Sequence, residues 1–123
     1  MGTRALIHVK EAGKYSDTLV TIYRQYDGCP DGLGEDIKRI IGDSGISNGI
    51  SNGMKECFNG MGCFAAWLIK ELKDKIGNVY IYAPNSKDVG EEFVYTVFKN
   101  ESTALGVGEV GNVIVDCYVV ETI

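Results

Sequence analysis

The chain has few of the residues that build most catalytic and metal sites. Its 123 residues include one histidine, His8, and four cysteines, no two of which form a CxxC pair. This is not the ligand spacing of a zinc site, so we expect neither a bound metal nor a cofactor. We expect the thiols to be reduced, with Cys63 and Cys117 as small core residues.

Basic residues are also scarce. There are 12 lysines and arginines against 17 aspartates and glutamates, for a net charge of −5. This balance argues against a protein that holds long DNA or RNA, which normally needs a basic face. It does not exclude a small ligand with two or three phosphates, because one arginine and a few backbone N–H groups can hold those.

No long apolar run is present. No stretch approaches the roughly 20 residues of a membrane-spanning helix, and the first residues do not read as a signal peptide. We therefore expect a cytoplasmic protein without a membrane partner. A chain of 123 residues fits a single domain over 1–123.

The strongest helix pattern lies at 59–75, NGMGCFAAWLIKELKDK. Phe64, Ala65, Leu68 and Leu72 recur at helical spacing, Asn59 is a favourable N-cap, and Gly77 is a favourable stop. The helix opens on the turn Asn59-Gly60-Met61-Gly62. Free backbone N–H groups there suit an anion such as phosphate. Alternatively, the glycines only let the helix pack close to a strand.

Two strands are predicted at 4–10 and 18–26, joined by a short polar turn that suggests a hairpin. Arg24 shares a face with Val20 and Ile22, so it lies at the sheet's margin or is held by a partner. The loop 27–34 that follows forms either one wall of a pocket with Arg24, Gln25 and Tyr26, or a tight turn without a ligand.

The remaining elements complete an α+β pattern. We predict a short helix at 35–41, a possible helical turn at 54–58, a GISN repeat loop at 45–52, and strands at 78–83, 91–99 and 112–122. The order β-β-α-α-β-β-β indicates a mostly antiparallel sheet with helices on one face. The other face would carry aromatic residues and remain exposed, so we expect a homodimer or a larger assembly.

Five segments, taken in order, resemble a family of small phage and prophage proteins. They are MGTRALIHV, TLVTIYRQYDGCPDGLGEDI, NGMGCFAAWLIKEL, GNVYIY and GEEFVYTV. Together they look like the type-1 Thoeris anti-defence proteins. The resemblance covers most of the chain and is weakest in the GISN repeat and toward the C-terminal end.

The resemblance implies a protein that is not an enzyme. Members of that family bind glycocyclic ADP-ribose, a signal made by bacterial TIR-domain enzymes, so that the Thoeris effector is not switched on. Some members also bind small cyclic di- and trinucleotides at a second kind of site. Members form dimers, and some assemble into hexamers. The resemblance thus implies action in the cytoplasm of the infected bacterial host.

Phosphates and adenines in such ligands need cations, N–H groups and flat rings. The expected ligand-binding residues are Arg24, Gln25 and Tyr26, the turn Asn59, Gly60, Met61 and Gly62, and the late-strand rings Tyr80, Tyr82, Phe93 and Tyr95. The chain departs from the family pattern in having only three arginines, none of them in its last third. Lys55, Lys87, Lys99 or backbone N–H groups would have to replace them.

Two other functions compete with sequestration. One is a small nucleotide-cleaving enzyme, in which Cys63 near a helix N-terminus would be the nucleophile and His8 the base. The other is an inhibitor that docks its exposed aromatic face on a host protein. No nucleophile–base motif is visible in the sequence, and the acidic charge is compatible with the second alternative.

Overall fold

The computed structural model describes residues 2–42, 46–47, 58–100, 110–111 and 113–120. In chain order the elements of this part are β1 (Ala5–Lys10), β2 (Thr18–Arg24), a π-helical turn (Pro30–Gly34), α1 (Glu35–Ile41), β3 (Ile46–Ser47), β4 (Phe58–Asn59), α2 (Gly60–Leu72), β5 (Val79–Tyr82), β6 (Phe93–Lys99), β7 (Val110–Gly111) and β8 (Val113–Val119).

The main sheet has five strands in the order β5-β2-β1-β6-β8. The predicted hairpin is confirmed, because β1 and β2 are antiparallel neighbours, with Ile7 opposite Ile22. The pairs β2–β5 and β6–β8 are also antiparallel, whereas β1 and β6 run parallel. The α+β class with a mostly antiparallel sheet is therefore confirmed.

A second, smaller sheet joins the short strands in the order β4-β3-β7. Asn59, the last residue of β4, lies opposite Ser47 of β3. The predicted helical turn at 54–58 is wrong at Phe58, which belongs to β4; residues 54–57 lie outside the described residues. Most of the GISN repeat at 45–52 and the ends of the predicted strand 112–122 also lie outside them.

Both helices pack on one face of the main sheet. In α2 the buried residues are Met61, Phe64, Ala65, Leu68 and Leu72, which follow the spacing of one helical face. They form one apolar core with Ile37 and Ile40 of α1 and with Ala5, Ile7 and Val9 of β1. These three β1 residues alternate along the strand and so share a face.

Helix α2 is shorter than predicted. It ends at Leu72, and Lys73 takes an extended conformation while its N–H bonds to Ile69 O. Gly77, the expected stop, lies in the turn that leads to β5, with a φ of +84°. The end of α1 is as expected, because Gly42 leaves the helix at a φ of +52° and its N–H bonds to Lys38 O.

The second face of the sheet is partly covered by the chain itself. Strands β5 and β6 run in the same direction with β2 and β1 between them, so residues 83–92, here called the crossover segment, pass over those strands. The Asn85 N–H donates to Thr21 Oγ1 at 2.9 Å, and Thr18 Oγ1 donates to Asn85 Oδ1 at 2.6 Å. Leu6, Thr21 and Val94 are buried on this face.

The prediction that Cys63 and Cys117 are small core residues is wrong. Cys63 lies on the outer side of α2 and Cys117 on β8, and both are exposed. Asp116 on β8 is paired with a cation, because Lys14 Nζ lies 3.0 Å from its carboxylate. No helix in the described part of the chain is long and apolar enough to cross a membrane.

Candidate functional site

The turn that opens α2 is exposed and lacks a side-chain cap. Asn59 holds the N-cap position with φ −85° and ψ 77°, but its side chain makes no capping hydrogen bond. No acidic residue lies in the first turn of the helix. The first N–H groups of a helix have no partner within it, so this turn has the chemistry to hold an anion.

The two glycines of this turn have different roles. Gly60 has a φ of +84°, a conformation that strains any residue with a β-carbon. Gly62 has helical conformation, and an added β-carbon there would meet none of the described atoms within 4 Å. Close packing against the described strands therefore does not explain Gly62. Met61, between them, is buried in the core and is not open to a ligand.

Arg24 is committed to structural contacts. Its side chain is about one-tenth exposed; Nε donates to Tyr26 O at 2.7 Å, and a terminal nitrogen lies 3.8 Å from Asp36 of α1. Of the two alternatives for this guanidinium, the sheet's margin or a partner, the structure shows the partner. Arg24 thus joins the end of β2 to the start of α1.

The fold does not bring Arg24 and the glycine turn together. Arg24 lies opposite Val79, whose carbonyl accepts a hydrogen bond from Lys73 Nζ just beyond the last turn of α2. Gly60 lies at the other end of that 13-residue helix. A rise of 1.5 Å per residue puts the two ends about 18 Å apart. One small phosphate group cannot contact both.

Gln25 and Tyr26 lie just beyond β2 rather than within it. Their backbone N–H groups donate to Asn78, to its backbone oxygen at 2.8 Å and to its Oδ1 at 2.9 Å. The Tyr26 ring is 48% exposed, and a β-carbon on Gly2 would lie only 2.2 Å from that ring. Tyr26 therefore offers an exposed ring beside the N-terminal residues.

Three tyrosines group on the second face of the sheet, and we call them the tyrosine cluster: Tyr23, Tyr80 and Tyr82. The Tyr23 and Tyr82 rings are parallel with centroids 5.0 Å apart, and the Tyr80 centroid lies 6.0 Å from that of Tyr23. Tyr23 is buried, whereas Tyr80 is 44% exposed. Two of the expected ring residues, Tyr80 and Tyr82, are thus brought together.

Two cations flank the tyrosine cluster. Lys73 Nζ lies 5.5 Å from the Tyr80 centroid and donates to Gly77 O and Val79 O. The exposed Arg4 precedes β1 and is close enough to affect Tyr23: burial raises the pKa of that phenol, and the Arg4 charge opposes the rise. A surface with flat rings beside positive charges suits a phosphorylated base.

Neither cation is among the ligand-binding residues expected from the sequence. Arg4 stands just before β1, so the alternation of that strand places it on the face of Leu6, and Leu6 lies opposite Tyr23. The alternation along β1, combined with its pairing to β2, was therefore the one sequence signal that could have placed Arg4 beside Tyr23. Lys73 reaches the cluster only because α2 ends before the predicted residue 75 and the chain turns back into β5.

Phe93 and Tyr95 lie on the opposite face from the tyrosine cluster. Their partners in β1 are Ala5 and Ile7, which belong to the helix-covered core. The Tyr95 ring is 1% exposed, and its hydroxyl donates to Gly28 O at 2.6 Å. Burial raises the pKa of this phenol far above its ordinary value. In this structure Tyr95 has no free ring face for a base.

A polar network lies under the crossover segment. His8 Nδ1 is 2.8 Å from Thr21 Oγ1, and Glu91 accepts hydrogen bonds from the N–H groups of Asp88 and Val89. Burial, with Lys10, lowers the pKa of His8, and Glu91 opposes this. Burial opposes the Glu91 charge, yet the N–H donors hold its pKa below the ordinary value. These hydrogen bonds stabilise the fold, one between β1 and β2 and two within the crossover segment.

The fold does not pair Cys63 with His8. Cys63 is exposed on the helix layer, while His8 bonds to Thr21 on the other face of the sheet. The described residues contain no group of three or more histidine, cysteine, aspartate or glutamate side chains arranged to hold a metal ion.

Comparisons with known proteins gave no match. Neither protein-family models, curated protein sequences nor solved structures match this chain.

Proposed function

We propose that the protein binds glycocyclic ADP-ribose without cleaving it, and so blocks Thoeris immune signalling in the cytoplasm of an infected bacterium. The resemblance of its sequence segments to the type-1 Thoeris anti-defence proteins supports the ligand and the biological role. The structural observation that carries the proposal is the tyrosine cluster with Lys73 and Arg4 beside it.

The adenine and the phosphates of such a ligand match different groups on this surface. Tyr80, at 44% exposure, offers a flat ring on which adenine stacks. Lys73 and Arg4 supply positive charge for the phosphates, which takes over the role that the sequence had assigned to Arg24. The turn Asn59–Gly62 is a separate anion-binding surface, at the far end of α2. It suits the second kind of site, for cyclic di- or trinucleotides.

Assembly into homodimers, and further into hexamers, is part of the proposal. Tyr80 and Ile81 are exposed on β5, and Tyr118 and Val119 on β8, at the two edges of the main sheet. Apolar residues at open strand edges favour contact with another chain. Native mass spectrometry in the presence of ligand gives both the number of chains and the number of ligands.

The direct test is calorimetric titration of the protein with purified glycocyclic ADP-ribose, followed by chromatography of the ligand recovered after heat denaturation. Binding at micromolar concentration or tighter, with intact ligand recovered, is the expected result. Tyr80→Ala weakens binding by about 1–3 kcal/mol if the ring stacks on a base. Tyr15→Ala is the matched control, because Tyr15 is 94% exposed in the β1–β2 turn.

Inhibition through a host protein is the second candidate, and the exposure of Ile76 and Ile81 favours it. Ile76 is 99% exposed and lies just before the edge strand β5, and Ile81 is 64% exposed and lies within that strand. If the titration shows no binding, immobilised protein would be used to capture partners from a bacterial lysate. A captured partner that is lost with Ile81→Lys supports this candidate; no partner counts against it.

A further inference from the structure

Arg4 is the arginine that the fold leaves without an ion-pair partner. The chain has three arginines, and the other two, Arg24 and Arg39, both contact the carboxylate of Asp36. Within the described part of the chain, no carboxylate forms an ion pair with the Arg4 guanidinium, and the residue is exposed. An unpaired guanidinium that is open to solvent is available to an anion from outside the protein.

Two nearby carboxylates are engaged elsewhere, which keeps this guanidinium unpaired. Glu91 accepts the N–H groups of Asp88 and Val89, at 3.1 and 2.8 Å, so both of its oxygens are used within the crossover segment. Glu92 accepts the backbone N–H of Arg4 at 3.4 Å, and the Glu92 N–H donates to Arg4 O at 2.8 Å. These contacts fix the backbone of Arg4 and leave the end of its side chain without a bonded partner.

The end of the Arg4 side chain lies against Gly90 in the crossover segment. A β-carbon added to Gly90 would lie 2.7 Å from Arg4 Nη1, 3.7 Å from Cδ and 3.8 Å from Cζ. Real β-carbons essentially never show a contact as short as 2.7 Å, so any other residue at this position requires the guanidinium to move. Gly90 also has a φ of +88°, a conformation that favours glycine by itself.

The position that Gly90 allows this side chain is beside the tyrosine cluster. Arg4 precedes β1 on the face of Leu6, and Leu6 lies opposite Tyr23. Burial raises the pKa of the Tyr23 phenol and the Arg4 charge opposes the rise, which agrees with a guanidinium close to that ring. An unpaired arginine side chain has many accessible rotamers, and contact with Gly90 favours the one beside these rings.

We propose that Gly90 is a positioning residue: because it has no side chain, the Arg4 guanidinium lies beside the tyrosine cluster, where it binds a phosphate of the ligand. The phosphate role rests on the proposed function, whereas the contact between Gly90 and Arg4 does not depend on any ligand. A methyl group added at residue 90 meets the far end of a flexible side chain, so that side chain swings away while the core stays intact. Gly90→Ala therefore weakens ligand binding through Arg4.

The binding test is calorimetric titration of the full chain and its variants with glycocyclic ADP-ribose. Gly90→Ala and Arg4→Ala are each expected to raise the Kd roughly 10- to 100-fold, as for loss of a charge-assisted contact. In a chain that already carries Arg4→Ala, adding Gly90→Ala is expected to change the Kd little, because both substitutions act through one side chain.

Gly42→Ala is the matched control for backbone strain. Gly42 also has a positive φ, of +52°, but a β-carbon added there would meet only Arg39 O, at 3.4 Å. It lies at the end of α1, away from the tyrosine cluster, so this variant is expected to keep the affinity of the unsubstituted protein. Gly90→Asn is a second variant at the tested position, since asparagine tolerates a positive φ better than most residues. Circular dichroism checks that each variant is folded.

A measurement without ligand separates the positioning role from the proposed function. In a nitrogen–proton NMR spectrum, the Arg4 Nε–H signal, identified by its loss in Arg4→Ala, is expected to move in Gly90→Ala and to stay in place in Gly42→Ala. A signal that does not move in folded Gly90 variants overturns the positioning role, and so does equal weakening of binding by Gly90→Ala with and without Arg4. A moved signal in a protein that binds no glycocyclic ADP-ribose supports the positioning of Arg4 and overturns its phosphate role together with the proposed function.

Discussion

Replacing Arg24 with alanine is expected to destabilise the fold rather than to remove a phosphate ligand. The guanidinium donates to Tyr26 O at 2.7 Å, lies 3.8 Å from Asp36, and is buried apart from about one-tenth of the side chain. The substitution deletes the bond that fixes the chain after β2, together with the contact between β2 and α1. The Tyr26 carbonyl would be left without this donor.

The magnitude follows from these two contacts. A hydrogen bond from a charged donor contributes about 1.5–3 kcal/mol. The ion pair adds at most about 1 kcal/mol, because its distance is long and Asp36 is 38% exposed. The free energy of unfolding should therefore fall by about 1.5–4 kcal/mol.

Arg39→Ala is the matched control. Arg39 contacts the same carboxylate at 3.4 Å, but its side chain is 65% exposed. Exposed pairs of this kind contribute little, so this variant should change the free energy of unfolding by less than about 1 kcal/mol. Urea denaturation followed by circular dichroism measures both variants. Equal stability of Arg24→Ala and the unsubstituted protein would refute the structural role of Arg24.

Three further predictions concern the core, the glycine turn and the pH response. Leu68→Ala should cost about 2–5 kcal/mol of stability in urea denaturation, because Leu68 is fully buried, whereas Leu19→Ala at 41% exposure should cost far less. Gly62→Ala should raise stability by about 0.5–1 kcal/mol in the same assay, since the added methyl meets no described atom within 4 Å. The unfolding free energy should fall as the pH drops below about 6.5, and His8→Gln should reduce this fall.

The sign of the pH effect comes from proton binding. Burial lowers the pKa of His8 below its ordinary value of 6.5, so between the two values the unfolded chain binds more protons than the folded one. Stability is therefore full above this window and is lost as the pH falls through it. Glu91, whose pKa is also lowered, adds a second loss below about 4.5. A rise in stability on acidification would contradict this reasoning, as would a destabilised Gly62→Ala or a fully stable Leu68→Ala.

Local patterns predicted most of the described elements. Alternation along β1 and β2 and the helical spacing in α2 each depend on neighbouring residues, and both were assigned correctly. The parallel contact between β1 and β6 was not foreseen. Parallel strands are usually joined through a helix, whereas β5 and β6 are joined by the irregular crossover segment, which leaves no periodic signal. Left-handed Asn85 and Asp88 in that segment are likewise visible only in the structure.

The candidate site was harder to predict because it depends on which distant segments meet. The alternation of β2 left Arg24 either at the sheet's margin or held by a partner, and in the structure Tyr26 O and Asp36 hold it. Tyr80 and Tyr82 were both predicted as ligand-binding rings, and the fold brings both of them against Tyr23. Arg4 and Lys73 join them through the β1–β2 register and the turn between α2 and β5, which are tertiary features.

The most direct test of the central proposal is the calorimetric titration of the protein with purified glycocyclic ADP-ribose, carried out beside Tyr80→Ala and Tyr15→Ala. The proposal predicts micromolar or tighter binding, recovery of intact ligand, and loss of affinity in Tyr80→Ala only. No heat of binding at ligand concentrations well above micromolar, with the protein folded, would contradict sequestration, and so would recovery of a cleaved ligand.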